Sequence, residues 1–287
     1  MSKNSLSKTE WVERIGAALL FLGVGSLIIL VFSPWRPMIK DRMDDYLLRI
    51  GLSAVLLAAV LLAKRSARME KFYPLLTGLL ILSVAASMQL IMGRYLQNSL
   101  GVSDAQPSGW AALKLNEAFI AITIIILLTR TSGASLGSIY IQKGNLRLGL
   151  IIGLITFTLA VLGSFPMATL FKAEHLTLER VAPWTPWLLI YVLANAAFEE
   201  LMFRGLFLRK LQPFLGKFLS NFITAFVFTG LHGTVTYSSN NLIFLAVTFP
   251  LALAWGYIMQ KTDSVWGSIL FHAGMDIPIL LGIFANL

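Results

Sequence analysis

Apolar residues in this chain neither alternate nor keep to one helical face; they run in long unbroken blocks separated by short polar stretches. A block of about 18 or more uncharged apolar residues reads as a membrane-spanning helix, since a helix satisfies its own backbone hydrogen bonds where no water can. Nine blocks can be delimited, at 15–33, 46–63, 73–92, 111–129, 147–171, 187–208, 218–232, 241–260 and 264–286. The seventh is short for a span, so it begins before Lys217 or ends in a partly submerged loop. The pattern predicts an all-α polytopic membrane protein, a bundle of about eight to nine transmembrane helices. The first block ends at Ser33 and Pro34 with no small-residue cleavage site, which predicts an uncleaved first span.

Composition agrees. Of 287 residues, 57% are hydrophobic and 13% charged, with a mean hydropathy of +0.76; soluble domains carry about 25% charged residues. A net charge of +9 raises nucleic-acid binding as an option, but the basic residues sit in short loops between apolar blocks, as membrane topology requires. No nucleic-acid partner is expected. The segment from Lys64 to Lys71, the loop with Arg130, Lys143 and Arg147, the loop with Arg209, Lys210 and Lys217, Lys261 and the N-terminus with Lys3 and Lys8 share one side. The other side has Arg94, Lys172 and Arg180 offset by Asp104, Glu174 and Glu179, and an uncharged loop at 233–241. The first loop dissents, with Arg36, Lys40 and Arg42 among three aspartates. The balance predicts a multi-pass plasma-membrane protein with a cytoplasmic N-terminus and an outside C-terminus.

Several features need no function. The absence of cysteine excludes disulfides, iron–sulfur clusters and thiol catalysis. The glycine-rich stretch from Ser132 to Gly149 lacks the Gly-Lys-Ser/Thr of a phosphate loop. Residues 172–187 mix charges with Trp184 and Trp187, as an interfacial segment would, and His175 there is expected to be a surface residue. Lys114 and Glu117, three apart near a helix end, are explained by snorkelling and local pairing.

The charges inside the last blocks are different. A Glu, Arg or Asp at a helix centre costs roughly 2.5–3.5 kcal/mol on insertion scales. Glu199, Glu200, Arg204 and Asp276, with His232 and His272 beside them, must therefore pair, face the bundle interior or line a wet cavity. Glu200 and Arg204 are four apart and share a face; Glu199 points about 100° away, on the face of Asn195, without a same-helix counter-charge. Phe228 and His232 are four apart, as are His272 and Asp276. Measured from the basic loops at ~1.5 Å per residue, Glu199 and His272 lie roughly 16 Å deep and His232 roughly 22 Å. A core of about 30 Å places all three near the midplane.

A carboxylate shielded from bulk water can act as a general base, and imidazoles can share a water's proton or donate to a developing oxyanion. Hydrolysis of a peptide bond is the simplest reaction using all these parts. Taken singly, a buried Glu–Arg pair is also a tie between helices, and a membrane histidine is commonly an interhelical hydrogen bonder. Their shared depth favours chemistry.

Glu199–Arg204 fits E-E-x-x-x-R, Phe228–His232 fits F-x-x-x-H and His272–Asp276 fits H-x-x-x-N/D. In this order on three late helices, the motifs resemble the CAAX protease and bacteriocin-processing (CPBP or Abi) family of intramembrane proteases. The resemblance covers 187–287; it divides the chain into motif-free helices over 1–139 and a protease-like core over 140–287. It implies a bundle around a water-accessible catalytic cavity. Glu199 and His232 would activate water, His272 and Asp276 would form the oxyanion site, and Glu200 and Arg204, with Phe228 and Asn195, would support them. The last motif position is Asp276 where the prenyl-protease branch has Asn; an ionised Asp would orient His272 or ligate a metal rather than donate. The resemblance favours metal-free, glutamate-type hydrolysis with no cofactor, although Glu199, His232, His272 and Asp276 include enough donors for a zinc site. The expected partners are the bilayer and a membrane-associated peptide or lipidated protein. Two rivals remain: a non-catalytic immunity protein that binds peptide, and an ion-coupled transporter, for which matching repeat halves are missing.

Overall fold

A computed structural model describes residues 7–33, 38–233 and 241–287. Arg36 of the first loop and nearly all of the uncharged 233–241 loop lie outside the described residues. Nine helices correspond to the nine apolar blocks among the described residues: α1 Lys8–Val31, α2 Arg42–Arg65, α3 Tyr73–Met92, α4 Pro107–Thr131, α5 Leu146–Leu162, α6 Thr185–Glu199, α7 Leu208–His232, α8 Asn241–Thr262 and α9 Trp266–Ala285. The helix ends follow local chemistry. Asp41 caps α2 by accepting from the amides of Met43 and Asp44, and Asn145 caps α5 through Leu148. Prolines open α4 and α6, where the missing amide would have had no helical partner.

Seven helical runs are long and apolar enough to cross a membrane, or eight with the broken fifth span counted. That span does not run straight to 171, as its apolar block suggested. α5 stops at Gly163, and a short continuation bends away by 67°. The sixth and seventh spans fall within one 55-residue helical run, Leu178–His232, interrupted where Gly216 adopts φ 74°. On one straight helix Arg204 and Phe228 would stand about 36 Å apart. The Arg204 guanidinium instead lies 4.5 Å from the centre of the Phe228 ring, so the chain doubles back between them. Gly216 supplies the left-handed conformation that reversal uses.

Small residues bring α5 and α9 into backbone contact. Gly149 and Gly153 lie one turn apart on α5, and a methyl added to Gly153 would stand 2.8 Å from the carbonyl oxygen of Gly267. A methyl added to Gly274 would likewise stand 2.9 Å from the Cα of Phe157. Close approach of this kind replaces the hydrophobic drive that lipid cannot supply. It fixes α9, which carries His272 and Asp276. The interfacial segment forms short turns in which Trp184 packs edge-on against Phe284 at 6.1 Å. His175 is exposed there, as expected.

Candidate active site

The last turn of α6 does not continue as a regular helix. Residues Glu200–Gly205 form a π-helical turn, closed by a hydrogen bond from the Leu206 amide to the Leu201 carbonyl at 2.9 Å. Such turns insert one residue into the helical register and gather at functional sites. Here the turn begins between the two glutamates.

Glu200 is fully buried and fully engaged. Its Oε1 accepts from Arg204 at 2.8 Å and from His272 Nδ1 at 2.8 Å, while Oε2 accepts from the Ser268 hydroxyl at 2.6 Å. The Glu200–Arg204 pair read from helical spacing is present. Arg204 lies over the rings of Phe228 and Trp255, at 4.5 and 5.2 Å, and donates to the Ala252 carbonyl. A guanidinium placed against two rings is held by hydrogen bonds and π faces together.

With Nδ1 directed at Glu200, the opposite nitrogen of His272 meets the other two carboxylates of the cluster. Nε2 lies 3.5 Å from Glu199 Oε2 and 3.6 Å from Asp276 Oδ1. Asp276 Oδ2 in turn accepts from Asn195 at 2.8 Å. Asn195 thus ties α6 to α9, and Asp276 is held as an acceptor beside His272. Glu199 Oε2 is buried and, like Arg204 Nε, has no hydrogen-bond partner among the described residues.

His232 ends α7. Its Nδ1 is 2.9 Å from the Phe228 carbonyl, which can only accept, so Nδ1 carries the hydrogen and Nε2 of the neutral ring keeps its lone pair. Phe228 packs against both imidazoles, 4.4 Å from His232 and 5.8 Å from His272, centre to centre. Separate helices therefore bring Glu199, His232, His272 and Asp276 into one region. Among the described residues, no three His, Asp or Glu side chains are arranged as a metal's ligand set.

A cavity of about 630 Å³ reaches this cluster, with Asn195, Glu199, His232 and Asp276 on its wall. Lys114 and Glu117 of α4 line it too, which corrects their reading as snorkelling residues. They are buried at 7% exposure each, and their local pairing holds at 2.7 Å. Lys114 lies 5.6 Å from the Tyr191 ring and 5.9 Å from the Phe198 ring. Tyr191, Asn195 and Glu199, spaced by four, form the α6 face opposite it. Breaking this buried pair with Lys114→Met is expected to lower stability by about 3–5 kcal/mol, whereas Lys114→Met with Glu117→Leu should recover most of it. Thermal unfolding in detergent reads both. A double variant that folds but has lost activity would place Lys114 in the function of the site.

Three other residues were not singled out from sequence. Ser268 shares the four-residue spacing of His272 and Asp276, a signal that could have found it. Tyr191 extends the Asn195–Glu199 spacing by one more turn. Trp255 had no such signal; it lies in α8, away from every motif, yet stacks face to face on His272 at 3.9 Å with 9° between the planes.

Far from the cluster the cavity meets Arg42, Arg94 and Asp104. Arg94 pairs with Asp104 at 2.8 Å, both partly exposed. Burial raises the Asp104 carboxyl, but hydrogen bonds from Arg94 and Gln97 outweigh it and hold the group below its ordinary range.

Residues 181–278 match the family model described as type II CAAX prenyl endopeptidase Rce1-like. That stretch contains all three motifs and every residue of the cluster except those α4 supplies. The match bears out the resemblance over these residues and, with the apolar helices, supports a membrane-embedded protease. No curated protein and no solved structure matches the chain.

Proposed function

We propose, from the premise that residues 181–278 form an Rce1-like protease segment, that the protein is a glutamate-type intramembrane endopeptidase of the plasma membrane. Its substrate is a membrane-associated peptide, prenylated or a precursor, and its N-terminus is cytoplasmic. One observation carries the reading: of two adjacent buried glutamates, Glu200 is saturated with donors while Glu199 presents an oxygen without a hydrogen-bond partner among the described residues, on the wall of a cavity. An unsatisfied buried acceptor is costly, and a water molecule donating to it removes that cost.

In the reaction, Glu199 takes a proton from that water as oxygen attacks the peptide carbonyl carbon. The Nε2 lone pair of His232 provides a second acceptor for the water's hydrogens. Glu200 and Trp255 hold His272, so that in its doubly protonated form Nε2–H can donate to the oxyanion. Asp276, held by Asn195, orients that ring. When the tetrahedral species collapses, the carbon–nitrogen bond breaks and the proton held by Glu199 passes to the leaving amine.

The test uses purified protein in proteoliposomes with a farnesylated, internally quenched peptide ending in C-a-a-X, the class the family's name specifies. Cleavage by wild type supports the proposal, and binding without cleavage favours the immunity protein. Cleavage is expected to survive divalent-metal chelators. Loss that added zinc restores would replace the glutamate mechanism with a metal one.

A further inference from the structure

The cavity is one-sided. The residues on its wall come from the C-terminal parts of α3, α7 and α9, the N-terminal parts of α2 and α4, and the first half of the sixth span, 185–208, with Ser33 just beyond α1. In a chain crossing back and forth, all of these lie in the same half of the bundle. The cavity runs from Glu199 and Asp276 to Arg94 and Asp104, which are 61% and 41% exposed, so it opens to solvent on that face. The other end of the cluster is closed by the buried side chains of Glu200–Gly205 and Leu206–Leu208.

Charge assigns the faces. Among the described residues, Lys40, Arg42, Arg49, Arg94, Lys114, Lys172 and Arg180 lie in the half of the bundle that holds the cavity mouth. Thirteen lysines and arginines lie at or near the opposite helix ends, including Lys64, Arg65, Arg68, Lys71, Arg209 and Lys217. Acidic residues follow the reverse pattern, with Asp41, Asp44, Asp45, Asp104, Glu174 and Glu179 on the mouth side. Basic residues in short loops stay cytoplasmic. Resting on the proposed hydrolase reading, we infer that the active-site cavity opens away from the cytoplasm and that the substrates are peptide segments presented on the outer side of the membrane, such as the juxtamembrane part of an exported, membrane-anchored precursor. A lipidated C-terminus left on the cytoplasmic surface would meet the closed basic face instead.

The absence of cysteine makes the test direct. Single cysteines are placed at Ser103 on the mouth side, at Leu113 on the cavity wall and at Ala67 on the basic face. Intact cells are treated with a membrane-impermeant maleimide. Ser103→Cys and Leu113→Cys should be labelled directly, and Ala67→Cys only after permeabilisation. The reverse pattern would overturn the inference. A second arm expresses one single-span reporter with the same candidate cleavage segment on either the outer or the cytoplasmic side. Cleavage of the outer form alone, lost in Glu199→Gln, is expected; cleavage of the cytoplasmic form alone overturns the inference. If labelling is as expected but wild type cleaves neither reporter, the outward opening stands and the hydrolase reading and its outer substrate fail.

Discussion

Glu199→Gln is expected to lower peptide cleavage by about 100- to 10,000-fold, the range a positioned general base contributes. The substitution preserves size and removes the acceptor that takes water's proton. Since Glu199 Oε2 holds no protein hydrogen bond among the described residues, thermal stability should stay near that of wild type. The contrast with Glu200 sharpens the assignment. Glu200→Gln weakens bonds to Arg204, Ser268 and His272 at once, so it should reduce stability and activity together. Rates of quenched-peptide cleavage beside unfolding curves in the same detergent separate the two glutamates. A Glu199→Gln protein that cleaves at the wild-type rate would remove the base from the mechanism.

The largest stability effect is expected from Arg204→Met. Removing one partner of a buried ion pair leaves the other charge unpaired and destabilises by about 3–5 kcal/mol. Glu200 would then keep only Ser268 and His272 as donors, inside a region where both pair members are fully buried. Phe228 and Trp255 would lose the guanidinium packed against both rings, and Trp255 is the ring that His272 stacks on. Arg204→Met combined with Glu200→Leu should restore much of the unfolding midpoint, because a packed apolar pair can replace a buried ionic one. It should not restore cleavage, since His272 Nδ1 then has no carboxylate to orient it. Recovery of both would reduce the pair to a helix tie.

The sequence made the helices legible because lipid imposes length and apolarity on every span, and all nine blocks correspond to helices. It could not show the bend after Gly163, which does not interrupt hydropathy for long, whereas the reversal at Gly216 falls in the loop that Arg209, Lys210 and Lys217 had marked. Within the site, four-residue spacing revealed the Glu200–Arg204 pair and placed Asn195 with Glu199. It was silent on contacts between helices: His272 turning to Glu200, Trp255 stacking on His272, and the α4 pair entering the cavity wall. Lys114 and Glu117 were misjudged for a physical reason. Their position near a helix end suits snorkelling, but α4 packs along the polar face of α6, so burial was set by a neighbour over seventy residues away. The motif-free helices therefore help to enclose the cavity, whatever boundary divides the chain.

The account depends most on water being activated at Glu199 against a bound peptide. Purified wild type and Glu199→Gln, each incubated with membrane peptide precursors in water enriched in ¹⁸O, should differ by mass spectrometry of what they hold and release. Wild type should release two fragments, the new carboxyl terminus carrying solvent oxygen, while the variant retains the intact peptide. Intact peptide recovered from both, with no solvent oxygen incorporated, would contradict the hydrolase and leave a binding protein in its place.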